Sequence, residues 1–396
     1  MFDPLTEGFD APQHAQLRRE CPVVRMPSGA WYFARYDDVL EAAKDTETFV
    51  ASFREPGVVV PDEEQLVNEI PEPRHGQIRR IINSAIAAHR IGRIEPYCVD
   101  LCDQLLDQLL DRSGPVDLVA EYIMPIPNNV IAHLLGAPPE DFRQWSAWSD
   151  EVVQGTYPTK NGNDRGQGFA GAHPEFAAYV DALIGARRAD PRDDFITRLV
   201  HTEVDGRRLT DLEARSQLVF LFISGNETTR HLIGNLLWRL ANDTALFDRL
   251  RQDRSLVTVT IEESLRLDPP VKLLMRNCVK DVDVEGHHLS PHDKVAFGVA
   301  SANRDETHFD DPNSFRLDRP DFRSHLAFGG GPHVCPGASL ARLEARVALE
   351  AFLERVASVR PTTAGAYDPV PVSWAHGPRS LVVELTSSLS ASAGRP

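Results

Sequence analysis

The sequence predicts a mainly α protein with small β-sheets. Three observations carry that expectation. A long helical stretch opens at the capping box Thr210-Asp-Leu-Glu213 and runs to about Ala241. Amphipathic helical segments at 92–112, 117–135, 139–154 and 174–188 precede it, and others at 256–267 and 338–351 follow. Strand-like runs are short and scattered, and a turn closes most of them.

The elements follow in order. After a loose lead-in, a short helix is expected near Pro12–Glu20. Val23–Met26 and Ala30–Ala34 read as a hairpin around Pro27-Ser-Gly29, and Asp37–Lys44 reads as a helix. Residues 51–73 are rich in proline and acids and read as irregular. A helix starting at Pro73 carries His75 and Arg79 on one face, four residues apart, with Ile78, Ile81 and Ile82 pointing inward. Cations on one face can grip carboxylates; a solvated basic face is the bland alternative. Gly155–Gly171, rich in Gly, Asn and Thr, reads as a flexible segment.

At 1.5 Å per residue, the helix from Thr210 would be roughly 45 Å long and cross the whole molecule. Its middle, Leu218–Ile223, is apolar on every side and is expected to be buried. Ser224-Gly-Asn-Glu-Thr-Thr229 then interrupts it. Buried polar side chains are costly unless they are satisfied or used. Hydroxyls that compete for carbonyls one turn back can bend a helix and open a groove. A kinked structural helix is the rival reading.

Glu263-Ser-Leu-Arg266 lies on the 256–267 helix, which Asp268-Pro-Pro ends. Asp281–Val284 and Lys294–Phe297 read as a hairpin with a long loop. Ser358–Arg360 and Leu381–Leu385 read as strands, with a turn at Val372–His376 between them.

The most unusual stretch is Phe328-Gly-Gly-Gly-Pro-His-Val-Cys-Pro-Gly337. Neither an ordinary helix nor a central strand tolerates this content of glycine and proline. It reads as a tight loop that places Cys335 just before a helix N-terminus, where backbone N–H groups favour a thiolate. Such a thiolate is a metal ligand or a nucleophile; an inert buried cysteine is the bland reading. No Gly-Lys-Ser/Thr follows, so a phosphate loop is disfavoured.

Phe328, Gly331, His333, Cys335 and Gly337 together resemble the haem-binding loop of the cytochrome P-450 family, and the resemblance extends over nearly the whole chain. It implies that family's fold: one long central helix over a haem, with a Cys-bearing loop on the other side. It implies haem b (iron protoporphyrin IX) with an axial thiolate from Cys335. The same cofactor site would include His75, Arg79, Arg276, Phe328, Gly329, His333 and Gly337. Glu227 and Thr228 match the family's acid–alcohol pair, which relays protons for dioxygen activation; Ser224 stands where the family usually has Ala or Gly. Glu263, Arg266 and Arg319 match a buried structural cluster. Segments 92–112, 117–135, 139–154, 155–171 and 174–188 would form a lid over the pocket.

The implied activity is insertion of one oxygen atom from O2 into a hydrophobic small molecule of steroid, terpenoid, fatty acyl or polyketide type. The apolar runs Leu218–Ile223 and Leu273–Met275 suit such a substrate. The resemblance also implies electrons from a ferredoxin or flavodoxin with its NAD(P)H reductase. Arg79, Arg80, Arg90, Arg93 and Arg342 would give that partner a basic face. A peroxide-driven haem-thiolate peroxygenase and a non-catalytic haem-binding protein are the rivals.

A net charge of −16 argues against nucleic acid as a partner. Five cysteines without metal-finger spacing suit a reducing cytoplasm. No apolar run is long enough to span a bilayer. No linker divides the chain, so residues 1–386 are expected to form one domain, with a disordered tail at 387–396 and a monomeric state by resemblance.

Overall fold

The computed structural model describes residues 2–52, 54–86, 88–154, 173–204 and 206–388. The expected flexible segment at 155–171 and nearly all of the expected tail lie outside these residues. The chain opens with α1 (Pro4–Glu7) and α2 (Ala11–Glu20), each capped by an aspartate: Asp3 accepts from the Leu5 N–H and Asp10 from the Gln13 N–H. The expected hairpin follows as β1 (Val23–Arg25) and β2 (Trp31–Phe33), then α3 (Tyr36–Lys44) and β3 (Phe49–Ala51).

After the irregular run come α4 (Arg74–Ala85) and α5 (Ala88–Leu110). The helix expected at 117–135 is divided. Strand β4 (Val116–Asp117) and a π-wound turn at Val119–Ile123 precede α6 (Pro125–Leu135). Pro125 has no N–H to donate, so it suits the first turn of a new helix. Helices α7 (Phe142–Gln154), α8 (Pro174–Ala189) and α9 (Phe195–His201) lead to the small hairpin of β5 (Glu203–Val204) and β6 (Arg207–Arg208).

Helix α10 (Asp211–Asn242) then runs 32 residues with its capping box formed. Leu218, Val219, Phe222 and Ile223 are buried, as the all-round apolar stretch requires. The helix stays α through Ser224–Thr229. Ser224 donates to the Phe220 carbonyl at 2.7 Å and Thr228 to the Ser224 carbonyl at 2.9 Å, so both hydroxyls are satisfied by their own helix. Gly225 allows α6 to cross closely, since a Cβ there would stand 2.7 Å from Ile131 Cδ1.

Beyond α11 (Thr244–Gln252) and α12 (Val257–Leu267), β7 (Leu273–Cys278) enters the main sheet. Here the structure corrects one expected pairing. The segments at 281–284 and 294–297 are not partners. Instead β8 (Val282–Val284) turns at once into β9 (His287–Leu289), because Glu285 and Gly286 both have positive φ, 49° and 78°. Strand β10 (Lys294–Gly298) pairs with β2 in parallel and with β7 antiparallel, giving the order β1-β2-β10-β7-β3.

The chain closes with α13 (Val299–Ala302), the glycine loop, α14 (Ala338–Arg355) and β11 (Val356–Pro361). A two-stranded piece, β12 (Asp368–Pro369) with β13 (Pro378–Ser380), precedes β14 (Val382–Ser387). Strand β14 lies between β11 and β4. One core packs α5, α14 and the second half of α10; another packs α6 to α9 on the first half of α10; a third lies on the main sheet. No helix of the described residues is long and apolar enough to cross a membrane.

Candidate active site

The middle of α10 and the start of α14 face each other across one cavity. Its wall takes Leu221, Ser224, Gly225, Thr228 and Thr229 from α10, and Cys335, Gly337 and Leu340 from the glycine loop and α14. Ile82 and Ile86 close one side and Ile131 and Leu135 another.

The loop is built for close approach. Gly329 and Gly331 have φ of 75° and 65°, and a Cβ on Gly331 would stand 2.5 Å from the Ala43 carbonyl oxygen. The Cys335 N–H donates to the Phe328 carbonyl at 2.8 Å, which folds the loop back on itself. Gly337 lies against the sulfur, where a Cβ would stand in ordinary contact 3.7 Å from Sγ. Cys335 is exposed, by way of the cavity, although protein atoms crowd around its thiol. That crowding pushes the thiol's pKa up; backbone N–H groups of Gly337 and Ala338 and the cations of Arg79 and Arg342 pull it down. The helix N-terminus alone does not win here: in this surrounding a thiolate needs a further positive partner such as a metal ion.

Beside the loop lies a group of basic side chains. The His75 ring meets the His333 ring edge-on at 4.7 Å. Arg276 is buried, lies over the Phe297 ring, and makes its hydrogen bond to the Met275 carbonyl. Arg79 donates to the Val334 carbonyl. Burial, then Arg276, His75 and Arg79, push the His333 pKa down to about 4. His75 Nδ1 holds Glu72 at 2.7 Å, but its Nε2 and the Nδ1 of His333 are buried without partners. Uncommitted imidazole nitrogens beside two guanidinium groups call for an anion. The two propionates of haem are such anions, the cavity has apolar walls, and Cys335 offers a soft ligand, so the residues present fit haem.

The acid and alcohol of α10 diverge. Thr228 lines the cavity, whereas Glu227 is buried on the side of α7 and is not on the cavity wall. Glu227 Oε2 accepts from Arg230 at 2.7 Å and stands 3.5 Å from His231 Nε2. Arg230 also donates to Asp150 of α7 at 3.2 Å. Sequence reading missed this cluster. The positions of Arg230 and His231, three and four residues after Glu227, were its only signal. A second omission is Glu344, which faces the cavity from α14 with Oε2 unpartnered.

Behind the loop, Glu263, Arg266 and Arg319 come together and are all buried. Glu263 binds the Arg266 fork at 2.8 Å through both oxygens and Arg319 Nε at 3.0 Å. Arg266 also donates to the carbonyls of Asn303 and Pro312, which anchors the irregular run that leads to Phe328.

The expected basic face is weaker than its sequence suggests. Arg342 is neutralised by Glu262, and Arg93 stands 3.9 Å from Asp193. Arg80 is exposed, while the side chain of Arg90 lies outside the described ones.

Comparison with known proteins agrees with this architecture. Residues 164–359 match the family model described as Cytochrome P450. The chain is 34% identical over 378 residues to a steroid C26-monooxygenase of Mycobacterium tuberculosis, covering 94% of this chain and 99% of that protein. It is 35% identical over 343 residues to the erythromycin C-12 hydroxylase of Saccharopolyspora erythraea, covering 86% and 85%. The structure of the cytochrome P450 CYP109Q5 from Chondromyces apiculatus superposes with a TM-score of 0.83 at 33% identity, covering 96% of this chain and 95% of that one.

Proposed function

This chain belongs to the cytochrome P450 family, and on that premise we propose how its own residues carry out the family's reaction and on what kind of molecule. The enzyme is a haem-thiolate monooxygenase that inserts one oxygen atom from O2 into a hydrophobic small molecule, with electrons from a separate redox partner. We assign the iron ligand to Cys335. We assign the propionates to His75, Arg79, Arg276 and His333. Phe328, Gly329 and Gly337 shape the loop around the sulfur. The observation that carries this reading is the cavity that Ser224, Gly225, Thr228 and Thr229 of α10 share with the Cys335 loop.

Haem held by the Cys335 thiolate would supply the reductive activation of dioxygen, because thiolate donation favours O–O cleavage. The chain's residues supply the surroundings. Leu221, Ile82, Ile131 and Leu135 keep the cavity apolar and exclude bulk water. Thr228 holds a hydroxyl at the cavity wall. It can release the Ser224 carbonyl and donate its proton inward. Glu227, one residue earlier, is the acid that resupplies that proton. Glu263, Arg266 and Arg319 hold the scaffold.

The apolar walls suit a steroid, terpenoid, fatty acyl or polyketide-like substrate, and two relatives are named for a steroid and for erythromycin. We favour a steroid or macrolide among these, a monomeric cytoplasmic enzyme, and a ferredoxin or flavodoxin with its NAD(P)H reductase as donor. The hydroxyl of Thr228 on the cavity wall favours dioxygen over the peroxide-driven alternative.

The test is the absorption spectrum of the reduced protein under carbon monoxide. A strongly red-shifted band, lost in Cys335→Ala, is expected. A purified protein without haem, or an unchanged band in Cys335→Ala, would overturn the assignment. Testosterone, erythromycin and palmitate, titrated into the ferric protein, then separate the substrate classes by which one shifts its spectrum.

A further inference from the structure

Among the described residues, Glu227 meets three charged or titratable side chains. They differ in what they can do with a proton. Arg230 keeps its charge at every accessible pH, so it can orient carboxyl groups but cannot relay protons. His231 is fully buried, and burial followed by the charge of Arg230 pushes its pKa down to about 3. Its Nδ1 has no partner and abuts Gly377, where even a Cβ would stand 2.1 Å away. It is a neutral dead end near pH 7.

Asp150 is different. Its side chain is 35% exposed while that of Glu227 is 4% exposed, so Asp150 connects the buried acid with solvent. One Arg230 fork spans both carboxyls, at 3.2 Å to Asp150 Oδ1 and 2.7 Å to Glu227 Oε2. That leaves Glu227 Oε1, which is buried and lacks any donor. Two carboxyls gathered on one guanidinium, the second of them buried, favour a single proton shared between them. Burial, then contact with Glu227, push the Asp150 pKa up to about 7 against the pull of Arg230. The neighbouring contacts fix the register of α7 on α10: Asn226 donates to Ser149 at 3.4 Å. The other nearby acids are committed to the α8 side, Glu151 to His173 at 3.1 Å and Glu175 to the Trp148 N–H at 3.0 Å.

We propose that Asp150 is a positioning residue for Glu227, taking protons from solvent and passing them to the Glu227 carboxylate while Arg230 holds the two groups together. The step is a simple proton transfer. Protonated Asp150 gives its proton to Glu227 Oε1 and becomes a carboxylate, which water reprotonates. Glu227, now neutral, loosens from Arg230 and turns toward the cavity, where Thr228 stands. Asp150 never touches the reacting atoms and acts only through Glu227. The proposal rests on the assignment of Glu227 as the cavity's acid.

Two measurements test it. The first is carbon-13 NMR of labelled aspartate carboxyls in the diamagnetic, carbon-monoxide-bound holoprotein, with Asp150→Asn to assign the signal. Asp150 is expected to titrate near neutrality and to move down when Glu227→Gln removes the second carboxyl. Titration in the ordinary aspartate range, unmoved by Glu227→Gln, overturns the coupling.

The second is oxygen uptake driven by a ferredoxin and its NADPH reductase, followed over pH without added substrate. Asp150→Asn is expected to slow it about tenfold or more and to flatten its pH profile near neutrality, with Asp150→Glu restoring both. Thermal unfolding of Asp150→Asn should match that of the parent. Normal uptake and an unaltered pH profile in Asp150→Asn, beside a slowed Glu227→Gln, overturn the proposal and spare Glu227. Normal uptake in both variants overturns the assignment of Glu227 itself.

Discussion

The Glu262 carboxylate grips the Arg342 guanidinium through two hydrogen bonds, 2.6 and 2.9 Å long, and so ties α12 to α14 directly behind the cysteine loop. Arg342 in turn lies over the Phe328 ring at 4.5 Å, and Phe328 accepts the Cys335 N–H. Burial alone would raise the Glu262 pKa, but hydrogen bonds from His325 and Arg342 outweigh it and hold it down at about 2. A carboxylate whose pKa falls on folding contributes stability above its unfolded value of 4.5 and loses it as pH drops toward 2. Glu262→Gln is therefore expected to cost about 2–4 kcal/mol at pH 7 and to lose part of the parent's acid sensitivity between pH 5 and 2. Urea unfolding at several pH values checks both. Parallel pH curves for parent and variant would count against the pairing.

Glu213 does three tasks at the start of α10. It closes the capping box with Thr210, binds the Arg207 fork at 2.8 and 2.7 Å, and pairs with Arg74 on α4. Arg74 precedes His75, so the cap also anchors the helix that carries two of the assigned propionate ligands. Glu213→Ala is expected to cost about 2–3 kcal/mol, more than the ~1 kcal/mol of an ordinary cap. It should also raise hydrogen exchange at 74–79. Unchanged protection there would show that Arg74 does not steer α4.

Gly225→Ala tests the crossing of α6 and α10. The added methyl would meet Ile131 at 2.7 Å, so Ile131 or the helix must shift, at about 1–3 kcal/mol despite the gain in helix propensity. Ile131→Ala costs on the order of 2–4 kcal/mol alone. Combined with Gly225→Ala it should cost clearly less than the sum, since the new methyl fills the space. Strict additivity in thermal unfolding would refute the contact.

Much of this was legible in the sequence, for physical reasons that differ by element. Helix α10 announced itself by Thr210 and Glu213 at its start and by apolar residues on every face. The cysteine loop announced itself because Gly329 and Gly331 occupy backbone conformations that other residues avoid. Strand pairing was harder to read: β10 joins β2 across more than 260 residues, and no local pattern encodes such a partner. The direction of Glu227 was also hidden. Adjacent residues on a helix point about 100° apart, so an acid and an alcohol next to each other in sequence need not share a cavity. Asp150, on another helix, could be found only from the packing of α7 on α10.

Glu344 offers the opposite pH dependence to Glu262. It is 1% exposed, its Oε2 is unpartnered, and burial, with the neighbouring Cys98 thiol, pushes its pKa well above 4.5. The folded state thus keeps a proton that the unfolded chain releases, and stability falls as pH rises above 4.5. The slope from this one group approaches 1.4 kcal/mol per pH unit until the folded carboxyl itself ionises. Glu344→Gln keeps the shape and removes the titration. The variant should match the parent near pH 4 and become progressively more stable than it toward pH 8. Urea unfolding of both proteins across that range decides the point: a constant difference would mean that Glu344 is already ionised in the fold and has a partner in the cavity.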